Sequence, residues 1–183
     1  MNRVERLAQS YGQYIAVPWR DDIAPAQKVL FCVYSEADEL RLRARIDEFK
    51  LATRNAGHEW CVFDLTDTFA DWLVKQRYAK SYFERPQLLT TLLSGYLEFI
   101  HEDFKRFLDE NRAGANTVVA IKGAGSLFGF LRVKDVIDKF TPLIQGRMAV
   151  FFPGTFENNN YRLLDAYDGW NYLAVPIVAD KQF

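Results

Sequence analysis

The chain is poor in the residues that build metal and disulfide chemistry. Its 183 residues hold only two cysteines, two histidines and two methionines. Cys32 and Cys61 each sit inside an apolar, strand-like run without CxxC spacing, so they read as buried thiols that pack as small hydrophobes and not as a disulfide or a metal pair. His58 falls at a helix-to-strand turn and His101 beside an apolar helix stripe, and neither has ligand spacing to a cysteine, an acid or the other histidine. Net charge is also lacking: the formal value of −1 gives no global basic field to draw the chain onto DNA or anionic lipid. No stretch approaches the roughly 20 apolar residues of a membrane span, and the charged start MNRVERLAQS has no apolar signal core. These absences lead us to expect a cytoplasmic protein, no membrane contact, and no autonomous binding of nucleic acid.

What is present is a regular alternation of apolar runs and helical stripes. TVVAIKGAGSLFGFLRVKDVIDKF, 117–140, opens with a β-branched run that suits a strand buried on both faces. Gly123 and Gly125 break the run, and Ser126 can cap a following helix with Leu127, Phe130, Leu131, Ile137 and Phe140 at helical spacing. Further strands are expected at 28–35, 59–65, 148–154 and 173–179, the first of them central and the last at an edge because Pro176 cannot donate to a ladder. Helices are expected over 4–15, 36–56, a short segment that buries Phe69, Trp72 and Leu73, and about six turns from Pro86 to Asn111. The pattern predicts one α/β domain over 1–183, with a mostly parallel five-stranded sheet and helices on both faces.

That ground plan is shared by P-loop NTPases and other doubly wound domains, and it focuses attention on the turns after the strands. A phosphate-binding version needs a glycine-rich loop, a lysine and a Ser or Thr for Mg²⁺ after its first strand. Here Ser35-Glu36-Ala37-Asp38-Glu39 stands instead, three carboxylates with no glycine or lysine. Lys122 occupies the end of the third strand, where a Mg²⁺-holding acid would lie. The expectation is P-loop-like topology without its phosphate-binding loop. The remaining candidate anion turn is Lys122, Gly123, Gly125 and Ser126, whose backbone N–H groups could hold a phosphate; the alternative is that the glycines only permit a tight turn. Asp64 with Asp165 or Asp168 is the remaining hydrolase candidate. Arg132 and Lys134 form a small basic patch, more often a solvated helix face than a nucleic-acid contact. No catalytic residue, metal set or cofactor is assigned.

The segment GRMAVFFPGTFENNNYRLLDAYDGWNYLAVPI, 146–177, is more idiosyncratic than strand and turn rules require. Phe-Phe-Pro-Gly, the Asn run, Tyr-Arg-Leu-Leu-Asp and Asp-Gly-Trp-Asn-Tyr resemble the C-terminal signature of the BrxB family of bacteriophage-exclusion (BREX) defence systems, and KGAGSLFGFLRV resembles its strand-turn-helix. The resemblance implies a cytoplasmic bacterial protein in an assembly with a large ATPase, a methyltransferase and an alkaline-phosphatase-like PglZ component. It implies no established enzymatic activity and supplies no catalytic residues. The residues themselves add that Asn158, Asn159 and Asn160 suit turn conformations. Arg162 could pair with Asp165 or Asp168, and Trp170 and Tyr172 are of the types enriched at interface hot spots, although Trp170 could equally plug the core. We therefore expect a non-catalytic adaptor whose interaction surface includes Asn159, Asn160, Tyr161, Arg162, Asp168, Trp170 and Tyr172, with PglZ or another BREX component as partner. The alternative is a divergent nucleotide or phosphate binder that uses Lys122 and the Gly123 to Ser126 turn.

Overall fold

The computed structural model describes residues 1–164 and 173–180. Five strands run parallel in the order β2-β3-β4-β1-β6: β1 Val29–Tyr34, β2 Glu59–Asp64, β3 Thr117–Lys122, β4 Arg147–Glu157 and β6 Val175–Ile177. β1 and β3 are uninterrupted apolar runs because both of their faces are covered, and every residue of β1 is buried. β6 lies at the edge beside β1, where Pro176 is tolerated.

Helices cover both faces. α1, Arg3–Ile15, and α2, Glu39–Asn55, lie on one side, where Leu7, Tyr11, Leu42 and Phe49 pack on Leu30, Val118 and Phe151. A capping box starts α1: the Asn2 Oδ1 accepts from the Glu5 amide at 2.9 Å and Glu5 accepts from the Asn2 amide at 2.7 Å. On the other side, α3, Thr68–Val74, α5, Leu93–Glu110, and α6, Val133–Phe140, bury Trp72, Tyr96, Phe104, Val136 and Phe140 against Phe31, Phe63 and Ile121. A short α4, Ala79–Glu84, connects α3 to the 3-10 turn Pro86–Thr91.

Three features depart from the sequence-based expectations. No helix starts at Ser126: a single 3-10 turn, Ala124–Leu127, follows β3, Gly129 takes φ +83°, and α6 begins only at Val133. Leu127 is still buried, because a 3-10 turn delivers its fourth residue to the core as a helix would. The long helix expected from Pro86 is divided, since Pro86 opens the 3-10 turn and α5 begins at Leu93. A sixth strand, β5 Asn160–Leu163, pairs antiparallel with the end of β4. Asn158 and Asn159, at φ +50° and +62°, make the two-residue turn between them, the left-handed pair that lets a tight hairpin follow the strand twist.

The sheet order is compatible with a P-loop-NTPase ground plan. No helix among the described residues is long and apolar enough to cross a membrane.

Candidate functional site

β1 is followed by α2 on one face of the sheet, whereas its neighbour β4 is followed by β5 on the other. The chain therefore leaves these two strands in opposite directions, and a crevice opens beyond their carboxyl ends, as at the ligand sites of open α/β sheets. A cavity of about 320 Å³ occupies that position. Its floor includes Val33 and its polar lining includes Arg3, Tyr34, Glu36, Asp38, Glu157 and Asp180.

Two of the carboxylates that line the cavity are paired with the protein's own arginines. Asp38 lies 2.9 Å from Arg41, and Asp180 lies 3.1 Å from Arg6. Glu39 holds Arg43 at 2.7 Å and accepts a short hydrogen bond from the Tyr34 hydroxyl. Burial, then the Glu39 carboxylate, pushes the Tyr34 hydroxyl well above its ordinary range, which keeps it a donor. The first strand-to-helix turn is one 3-10 turn, Glu36–Asp38, in which Asp38 is buried.

The glycine turn after β3 is closed in a similar way. Lys122 pairs in register with Asp64 across β3 and β2, and their charged groups are 3.3 Å apart. Asp64 also accepts from the Thr66 amide at 2.9 Å and the Thr66 hydroxyl at 2.6 Å. Burial alone would raise the Asp64 carboxyl, but these hydrogen bonds and Lys122 outweigh it and hold it below the usual range. Gly123 has φ +79°, and a Cβ there would meet Thr66 N at 2.7 Å. Gly123 is thus required both for its left-handed backbone and for close approach to the β2 turn. Gly125 and Ser126 lie within the 3-10 turn that follows, where the Ser126 amide donates to the Gly123 carbonyl at 3.0 Å.

Of the expected interaction surface, Asn159, Asn160, Tyr161 and Arg162 lie in the β4-β5 hairpin. Asn159 and Arg162 are exposed, whereas Tyr161 is fully buried between Phe31, Phe152 and Phe156 and donates its hydroxyl to the Ala174 carbonyl at 2.8 Å. Burial raises the Tyr161 hydroxyl above its ordinary range. Tyr161 therefore anchors the hairpin to the chain before β6, with its side chain inside the core rather than on the surface. Asp165, Asp168, Trp170 and Tyr172 lie outside the described residues. Arg132 precedes α6 and is exposed, and Lys134, on α6, is paired with Asp138.

The sequence reading did not connect Arg3, Glu157 and Asp180 with this edge. They come from the first helix, the hairpin and the segment after β6, and only the strand order brings them together. The Asp64 and Lys122 pair did leave a signal, because each is the final residue of its strand run and parallel neighbours align such ends.

A family model described as BREX protein BrxB matches residues 62–177, more than half of the chain. No curated protein and no solved structure matches it.

Proposed function

The chain belongs to the BrxB family of BREX proteins, and from that premise we propose that this phage-defence component is a non-catalytic adaptor. It docks another BREX component, the PglZ phosphatase-like protein first among them, through the carboxyl edge of the sheet and the 154–172 segment. The observation that carries this reading is the turn after β1. Where a nucleotide-binding relative of this ground plan would present glycine amides to a phosphate, this chain presents Glu36, Asp38 and Glu39, the last two engaged with Arg41, Arg43 and Tyr34. The second phosphate candidate, the turn at Lys122, already has a carboxylate against it. A cleft that retains its shape, with Asp38 and Asp180 already paired to arginines, suits recognition of a protein surface better than phosphate chemistry.

The test is co-purification of the tagged chain with PglZ expressed from the same cells. Association of the intact chain, weakened by Arg162→Ala and Trp170→Ala together, is the expected result. No association with PglZ or any other BREX component overturns the adaptor reading, and association unchanged in the double variant removes this surface from it.

A further inference from the structure

Residues 74–88 run from the end of α3 through a four-residue turn to α4 and the start of the following 3-10 turn, and none of them is buried. The core holds this stretch from its flanks, through Trp72 and Leu73 before it and Leu89 after it, and from the middle only through the partly buried Tyr82. Large apolar side chains point outward along it: Val74 is 64 % exposed, Tyr78 56 %, Phe83 62 % and Leu88 43 %. A short helix normally survives by burying an apolar face, and α4 has no fully buried residue, only the partly buried Tyr82. The charges interleaved with these side chains have one dominant sign. Lys75, Arg77, Lys80 and Arg85 stand against Glu84 alone, in a chain whose formal net charge is −1. Two of the cations rest on aromatic rings, Lys75 over Phe99 at 4.8 Å and Arg77 over Tyr78 at 5.4 Å, which keeps their charge at the surface beside the apolar groups.

We infer that the 74–88 stretch is a second docking surface, which receives an apolar protein face rimmed by carboxylates on another BREX component. Exposed aliphatic residues call for an apolar partner surface, and the cations interleaved with them select the sign of its rim. Bases could stack on Tyr78 and Phe83 but not on the exposed aliphatic Val74 and Leu88, whereas an apolar protein face can cover all four, so a protein is favoured over a nucleic acid. The stretch follows β2, at the opposite end of the strand order from β6, and none of its residues lines the cleft at the ends of β1 and β4. The chain then has two separate faces, as a bridging component requires. This inference rests on the adaptor reading.

The experiment is the same co-purification, followed by titration of the captured BREX component with three forms of the full chain: intact, Val74→Ser with Phe83→Ser and Leu88→Ser, and Arg77→Glu with Lys80→Glu and Arg85→Glu. All six positions are exposed, and unchanged thermal melting confirms that each variant folds. The expected result is at least a tenfold loss of affinity in both triple variants, with the intact interaction weakening as salt is raised. Intact association with unchanged affinity in both variants overturns this surface while leaving the adaptor reading in place. Failure of the intact chain to associate with any BREX component overturns both. A matched titration with a single-stranded oligonucleotide overturns the protein assignment if the oligonucleotide binds and the charge-reversed variant abolishes that binding.

Discussion

The ammonium group of Lys122 lies 3.3 Å from the carboxylate of Asp64, across the aligned ends of β3 and β2. The pair closes the turn that the sequence offers as an anion cradle. Titration of the chain with ATP, GTP or a cyclic nucleotide should therefore release no binding heat, and Lys122→Ala should leave that blank trace unchanged. Saturable heat that disappears in Lys122→Ala would instead identify a phosphate site.

The same pair has a pH signature. The Asp64 carboxyl is lowered on folding, so it adds stability above its unfolded pKa, and that contribution is lost as pH falls through the folded value. Asp64→Asn should cost about 1 kcal/mol or less near neutrality, because the side chain is 44 % exposed and solvent screens it. In strong acid the variant and the natural chain should converge. Urea midpoints measured across that range provide the check, and a difference that persists in acid would contradict the assignment to charge.

The hairpin depends on Gly154. A Cβ at this position would lie 1.8 Å from the Arg162 carbonyl oxygen, a backbone atom that cannot swing aside. Gly154→Ala should destabilise the protein by about 2 kcal/mol or more through overpacking and disruption of the β4-β5 pairing. Gly125→Ala is the matched control, since its Cβ would meet only the Pro153 ring at 3.4 Å. Equal midpoints for the two variants in chemical denaturation would show that the hairpin tolerates separation.

Tyr161→Phe removes the hydroxyl that reaches the Ala174 carbonyl. Leaving that buried acceptor without its donor should cost about 1 to 3 kcal/mol. Amide exchange should accelerate in β6, which is short and at the sheet edge, more than in β1 or β3. Exchange that rises uniformly through the sheet would argue against a local anchoring role.

The thiols should be inert in the folded protein. Burial pushes Cys61 up to about 11 and Cys32 higher still, so neither forms a thiolate near neutrality. Cys32 on β1 and Cys61 on β2 are separated by β3 and β4, about 14 Å of strand spacing and far beyond disulfide reach. Iodoacetamide should label both only after denaturation, and rapid labelling of Cys32 in the native state would be inconsistent with this core.

Most of the sheet was legible in the sequence because doubly covered strands have to be apolar throughout. Val29 to Tyr34 and Thr117 to Ile121 announce themselves in this way, and Pro176 locates the edge. The elements that were misread share a cause. Leu127, Phe130 and Leu131 have helical spacing, but so does a 3-10 turn followed by a bend, and the left-handed Gly129 turns the chain before α6 starts. β5 was missed because Asn158 to Arg162 is polar on its outer side, and its strand character comes from pairing with β4 and from the single buried ring of Tyr161.

The carboxyl edge divides along the same line. The missing glycines after β1 and the three acids that replace them are properties of the sequence alone. The turn-forming Asn158 and Asn159 and the four cations between Val74 and Leu88 also stand in the sequence, but the exposure of the apolar residues among those cations is a fact of the structure. Tertiary structure decided which distant charges meet, Asp64 with Lys122 and Asp180 with Arg6, whereas Glu39 and Arg43 are i,i+4 neighbours on α2. It also decided that Arg3, Glu157 and Asp180 share one cleft. Local patterns report what each segment must bury. Which distant segments meet depends on strand order, and the parallel crossovers that set this order leave no mark in any single stretch of chain.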